Sequence, residues 1–159
     1  MALKAGIIGC GGVAWPHVAG YKENGIEVAA LADSNPEAAK SLAQNLDYET
    51  ELYASARELI DSGKVDLVSI CTPPATHAEF AMYALEKGIH VLCEKPLAHN
   101  LEDAEKIRKS VKDSNAKFMI AFRHRFLPAT QKMKEFIDNG KIGQPVLFLN
   151  EFCGPAFAM

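Results

Sequence analysis

Short apolar runs alternate along the chain with stretches whose apolar residues recur every three or four positions. Lys4–Ile8 reads as a short buried strand, and a helix is predicted from about Gly12 to Glu23, stopped by Asn24-Gly25. Ile26–Ala32, rich in Val and Ala, is the second strand. Asn35-Pro36-Glu37 opens the next helix, with Asn as N-cap and Pro at the first helical position. Glu51–Tyr53 is a short third strand, and Ser55-x-x-Glu58 is a capping box for a helix that stops at Gly63. Leu67–Cys71 is the fourth strand. Thr76-x-x-Glu79 reads as a second capping box, for a helix with Phe80, Ala81, Ala84 and Leu85 on one face and a stop at Gly88. Ile89–Cys93 is the fifth strand, Asn100-x-x-Asp103 starts a helix carrying Leu101, Ala104, Ile107 and Val111, and Phe118–Phe122 is the sixth strand.

A helix after every strand brings the strands back parallel, with both faces of the sheet covered. Buried parallel strands read as continuous apolar runs, as these do. The expected fold is therefore α/β, a doubly wound parallel sheet, with a ligand crevice at the carboxyl ends of its strands. The last stretch differs. A helix from Pro128 stops at Gly140, Gly143-Gln144-Pro145 is a turn, and Val146–Phe152 alternates weakly, as a seventh strand would at the start of a second sheet.

Composition narrows the class. Of 159 residues, 48% are hydrophobic and 23% charged, and the net charge is −3. That balance speaks against nucleic acid or an anionic membrane as the main partner, since both need clustered Lys and Arg. No run approaches the ~20 apolar residues of a membrane span, and Met1–Ile8 lacks the apolar core of a signal peptide. A cytoplasmic protein is expected. Cys10, Cys71, Cys93 and Cys153 form no C-x-x-C pair, so neither a disulfide framework nor a metal site is expected, and the thiols read as small apolar fillers.

The first strand runs into Gly9-Cys10-Gly11-Gly12-Val13-Ala14, of the form G-x-G-x-x-A. Gly9 permits a tight turn, Gly11 lets the backbone approach a pyrophosphate, and Ala14 lets the helix pack close to the sheet. The helix N-terminus then offers N–H groups and a positive dipole end to the phosphates. Asp33 closes the second strand 19 positions after Ala14. That matches the interval of about 20 residues expected of the acid that binds the adenosine ribose. Gly9, Gly11, Gly12, Val13, Asp33 and Ser34 are thus cofactor-binding candidates. A methyltransferase turn for S-adenosylmethionine is the competing reading of the glycines, and helix capping is the competing reading of Asp33. A carboxylate repels a 2′-phosphate, and Ser34 and Asn35 beside it are neutral, so NAD is expected over NADP.

Strand four ends at Cys71-Thr72-Pro73-Pro74, with Ala75-Thr76-His77 after it, and strand five ends at Cys93-Glu94-Lys95-Pro96. Both ends face the crevice in a doubly wound sheet. Thr72 offers a hydroxyl and the prolines stiffen the wall. His77 either lines the crevice or is exposed. Pro96 biases Lys95 toward an extended backbone, which fixes its side chain at the crevice. Beside a positively charged nicotinamide an ammonium loses its proton more easily, so Lys95 suits proton transfer, with Glu94 holding it or a ribose. On spacing alone, a surface Glu-Lys pair before a turn is the better explanation of these two residues.

Several stretches resemble the N-terminal domain of the glucose–fructose oxidoreductase, inositol dehydrogenase and MocA family. They are Gly6–Gly12, Ile70–His77, Gly88–Ala98, His124-Arg125-Phe126 with Pro128, and Gly140-Lys141-Ile142-Gly143. The resemblance implies a Rossmann-type domain over residues 1–125. Residues 126–159 would be a connecting helix and the first strand of a C-terminal substrate domain. It implies NAD(P)-dependent oxidation or reduction at a hydroxyl-bearing carbon of a sugar, cyclitol or related polyol. By the same resemblance Lys95 contacts substrate and nicotinamide as the catalytic residue. Cys71, Thr72, Pro73, His77, Glu94 and Arg125 line the cofactor cleft, and the Lys95–Pro96 bond is cis. His17, His90 and His99 match no catalytic pattern and are given no role.

The family's substrate half would lie beyond Met159, so negligible turnover is expected from this chain alone. Self-association through the apolar Val146–Phe152 is also expected. Two other readings stand beside the enzyme. A non-catalytic dinucleotide-binding regulatory module would need no Lys95 at a crevice. A methyltransferase would leave Glu94-Lys95-Pro96 unexplained.

Overall fold

Apolar runs with few side chains that must reach water become strands once helices cover both of their faces. The computed structural model describes residues 3–149. Along them run β1 (Lys4–Ile8), α1 (Ala14–Glu23), β2 (Glu27–Ala32), α2 (Pro36–Ala43), β3 (Glu51–Tyr53), α3 (Ala56–Asp61) and β4 (Leu67–Ile70). They are followed by α4 (His77–Glu86), β5 (His90–Cys93), α5 (Leu101–Asp113), β6 (Phe118–Ile120) and α6 (Pro128–Asp138). The strands form one sheet in the order β3-β2-β1-β4-β5-β6, every neighbouring pair parallel. The chain is thus a Rossmann-type doubly wound α/β fold, and its strand order reverses between β1 and β4.

Two apolar layers hold the sheet. Ala5, Ile7, Val28 and Leu31 pack with Ala14 and Val18 of α1 and Ala39 and Leu42 of α2. Ile8, Ala30, Ala32, Val68, Ile70, Val91 and Cys93 pack with Leu59 of α3, Ala81 and Leu85 of α4 and Ile107 of α5. Strand side chains alternate between faces, yet Val28 and Leu31, three positions apart, share a layer. The β1–β2 register explains this: Ala5 pairs with Val28 and Gly6 with Ala30, so Ala29 is an extra residue that shifts the phase of β2. Leu31, Leu42, Leu59 and Ile70 are fully buried, each contributing about 1.5–3 kcal/mol of apolar burial.

Three predicted caps form. The Asn35 side chain accepts from Glu37 N at 3.1 Å, Ser55 from Glu58 N at 3.2 Å and Asn100 from Asp103 N at 2.8 Å. The expected box at Thr76 does not. Pro73 and Pro74 start a 3-10 turn over Pro74–Thr76, and the Thr76 hydroxyl donates to Thr72 Oγ1 at 2.8 Å or Pro73 O at 2.9 Å, so it caps nothing.

Contacts cluster into two units, the first ending at Ala121 and the second beginning at Phe122. The second unit contains a 3-10 turn over Arg123–Phe126 and α6, whose Met133, Phe136 and Ile137 are exposed. The expected seventh strand does not appear: residues 146–149 pair with nothing among the described residues and are exposed, and the rest of Val146–Phe152 lies outside them. A ladder needs a partner. Among the described residues no helix is long and apolar enough to cross a membrane.

Candidate cofactor site

The tight turn after β1 is built around Gly9. Its φ of +89° suits glycine, and a Cβ there would sit 2.8 Å from the backbone carbon of Cys71 and 2.9 Å from its carbonyl oxygen. The turn therefore lies against the end of β4, at the point where the strand order reverses. Gly9 N donates to Ala32 O at 2.8 Å and ties the turn to β2 as well. Gly11 and Gly12 differ: a Cβ at either meets no protein atom within 4 Å, so the fold itself does not require glycine there. Ala14, fully buried, brings α1 onto the sheet. Val13 precedes α1 without a side-chain cap and is half exposed.

Asp33 lies at the carboxyl end of β2 with both oxygens engaged. Oδ2 accepts from Cys10 N in the glycine turn and Oδ1 from Asn35 N, each at 2.7 Å. Asn35 is the N-cap of α2, so Asp33 is not that cap; it links the turn to the end of β2. Each carboxylate oxygen keeps a lone pair for a ligand hydroxyl. A cleft of about 590 Å³ opens here, and Gly9, Gly11, Asp33, Ser34, Cys71, Thr72 and Pro73 are among the residues lining it.

The ends of β4 and β5 are joined by His77. Its imidazole is fully buried, with Nδ1 2.8 Å from Pro96 O and Nε2 2.9 Å from Thr72 O. This corrects the expectation that His77 lines the cleft: both ring nitrogens are spent on backbone carbonyls. Carbonyls only accept, so both bonds are made together only when both nitrogens carry hydrogen. The Lys95–Pro96 bond is cis. Lys95 is exposed, and its ammonium has no hydrogen bond or ion pair among the described residues. Glu94 Oε2 accepts from Lys95 N at 3.1 Å, and Glu94 Oε1 lies 3.2 Å from Nε2 of His17 on α1. Arg125 belongs to the second unit, in the Arg123–Phe126 turn, with its guanidinium 5.9 Å from the Phe122 ring centre.

The oxidoreductase family with an NAD-binding Rossmann fold, Gfo/Idh/MocA, matches residues 3–122. The chain belongs to this family. Within it, a levoglucosan dehydrogenase of Pseudarthrobacter phenanthrenivorans is 38% identical over 118 residues, covering 74% of this chain and 30% of the relative. An inositol 2-dehydrogenase of Azotobacter vinelandii is 31% identical over 154 residues, covering 92% of this chain and 44% of the relative. The structure of myo-inositol dehydrogenase from Lactobacillus casei in complex with NAD(H) and myo-inositol superposes with a TM-score of 0.85 at 28% identity, covering 91% of this chain and 44% of that one. The chain thus spans less than half the length of these Gfo/Idh/MocA relatives.

The Gfo/Idh/MocA domain here carries site features that the linear sequence hides. Arg57 and Glu79 line the cleft with Asp33 and Ser34, although 24 and 46 positions separate them from Asp33. Ser34 and Asn35 beside Asp33 are neutral, but the cleft also holds a basic side chain, Arg57. Its guanidinium is bound to Glu79 (3.1 Å from Nη2) and stacks 4.5 Å from the Tyr83 ring centre, so its charge is already answered. His17 is the second residue missed, since its partner Glu94 is 77 positions away. The thiols of Cys10, Cys71 and Cys93 are free, and burial pushes all three up, Cys10 and Cys93 to about 12. They are therefore protonated at neutral pH and poor nucleophiles, as fillers should be.

Proposed function

We propose that this chain is the cofactor half of a dehydrogenase that moves hydride between NAD and a hydroxyl-bearing carbon of a sugar, cyclitol or related polyol. The observation that carries this reading is the meeting of the Gly9 turn, Asp33 and the end of β4 around one cleft, with the end of β5 paired beside β4, in a chain of an NAD-binding oxidoreductase family. The residues fit a dinucleotide. Gly11 and Gly12 leave the turn bare of side chains, and Gly12 and Val13 lead into the N-terminus of α1, where N–H groups without helical partners meet pyrophosphate. Asp33 and Ser34 bind the adenosine ribose hydroxyls. Cys71, Thr72 and Pro73 form the wall beneath the middle of the cofactor.

When bound, the nicotinamide supplies the hydride acceptor. Glu94 and Lys95 would serve the nicotinamide end: Glu94 would hold a ribose or carboxamide group, and Lys95, unpaired among the described residues, would take the substrate hydroxyl's proton as the neutral amine on oxidation and return it as the ammonium on reduction. Arg125 is kept as a further cofactor contact on family resemblance. The polyol substrate is supported by the levoglucosan and inositol dehydrogenases among the relatives. More than half of each of those relatives lies outside the matched region, and residues 1–159 by themselves should turn over several orders of magnitude more slowly than a whole dehydrogenase.

NADH fluorescence titration of the full chain tests the reading. Saturable binding is expected. Gly11→Val should abolish it while leaving the far-ultraviolet spectrum unchanged, because the added side chain meets no protein atom near its Cβ. Equal binding by the valine variant would show that the turn does not hold pyrophosphate. Mixing the chain with NAD and myo-inositol should give no measurable NADH; robust turnover would contradict the assignment of only the cofactor half.

A further inference from the structure

His17 and Tyr21 lie four residues apart on α1 and so share one face of it. That face meets two polar groups of the sheet. Tyr21 Oη lies 2.6 Å from Ser69 Oγ in β4, and the same Ser69 oxygen lies 2.9 Å from His17 Nδ1. His17 Nε2 lies 3.2 Å from Glu94 Oε1, and Glu94 Oε2 receives Lys95 N at 3.1 Å. Ser69 is fully buried, Tyr21 is 8% exposed, and the His17 and Glu94 side chains are 7% and 16% exposed. Nothing in the proposed chemistry so far uses His17, Ser69 or Tyr21.

Counting hydrogens fixes the direction of this chain. A carboxylate only accepts, so Nε2 must carry hydrogen toward Glu94. Burial pushes the Tyr21 phenol up to about 12, so it keeps its proton and must donate. Among the described residues its hydroxyl meets Ser69 Oγ and no other acceptor. Ser69 therefore receives from Tyr21 and gives its own hydrogen to His17 Nδ1, which carries none. Every polar atom is then satisfied, as required of buried groups. The reversed chain would leave the Tyr21 hydrogen without an acceptor. Cys71 and Cys93, the thiols whose charge would act on Glu94, are both kept protonated by burial.

We infer that His17 is a positioning residue. Locked in its Nε2–H tautomer by Tyr21 and Ser69, it fixes the orientation of the Glu94 carboxylate. It thereby ties the helix that opens from the glycine turn to the nicotinamide end of the cleft. The functional half of this inference rests on the proposed role of Glu94. The tautomer half does not.

Two experiments on the full chain separate them. The first is nitrogen NMR of 15N-labelled histidine rings at neutral pH without ligand. For His17 it should show hydrogen on Nε2 and none on Nδ1, and Tyr21→Phe should disturb that pattern. Hydrogen on Nδ1 of the unsubstituted chain overturns the inference. The second compares NADH with ADP, which lacks the nicotinamide and its ribose. His17→Leu should weaken NADH roughly five- to tenfold and leave ADP unchanged, since a charge-assisted hydrogen bond is lost at one end of the site only. His17→Gln, whose amide can donate where Nε2 does, should recover most of the loss. An equal loss for both nucleotides, or no rescue by glutamine, overturns the positioning role. If the unsubstituted chain binds neither nucleotide, the cofactor reading fails, and the NMR result alone decides whether His17 orients Glu94.

Discussion

At the scale of single residues, the site rests on a few positions where chemistry and backbone leave little choice. Gly9 is one, because positive φ and the backbone of Cys71 both exclude a Cβ. Gly9→Ala should destabilise the first unit by at least about 2 kcal/mol, a fall in Tm of roughly 5–10 °C for a domain of this size. Differential scanning calorimetry measures it, and an unchanged Tm would contradict the close approach. The buried thiols give a pH prediction. Cys10 and Cys93 rise in the folded state from 9.0 to about 12. A raised folded value contributes stability that is complete below the unfolded value and lost as pH rises toward the folded one. Unfolding by denaturant should thus become easier between pH 9 and about 12, and a Cys10→Ala, Cys93→Ala double variant should flatten that slope. Equal slopes would place the alkaline sensitivity elsewhere.

At the scale of elements, what could be read from sequence was local. The caps at Asn35, Ser55 and Asn100 were legible because each is a side chain reaching a backbone N–H two or three residues on. Thr76 has the same spacing, but the Pro73–Pro74 pair creates a tighter turn whose carbonyl competes for its hydroxyl. The Gly9 turn and Asp33 were legible because strand, turn and helix follow directly in the chain. His77, Arg57 and His17 were not, since each does its work across a crossover, and sequence spacing carries no signal for such contacts. His77 joins the strand ends that bear Thr72 and Pro96. His77→Leu removes a fully buried imidazole and its hydrogen bonding to Thr72 O and Pro96 O, and should cost about 2–4 kcal/mol in urea-induced unfolding. A loss under about 0.5 kcal/mol would show that the clamp does not matter.

At the scale of the whole molecule, sheet order, cleft and family agree on a nicotinamide-binding domain. Apolar residues of the second unit stay exposed: Phe126, Leu127, Met133, Phe136 and Ile137, and Val146–Leu149 after them. Side chains of that kind are usually covered in working proteins, and the chain spans 44% of the inositol 2-dehydrogenase it resembles. The central claim concerns the cofactor, and calorimetric titration of the full chain with NADH, NADPH and S-adenosylmethionine tests it most directly. NADH should bind, NADPH at least about tenfold more weakly, because a carboxylate faces its 2′-phosphate, and S-adenosylmethionine not at all. Asp33→Ala should erase the difference between the two nicotinamide cofactors. Binding of S-adenosylmethionine alone, or equal affinity for NADH and NADPH in the unsubstituted chain, would contradict the account.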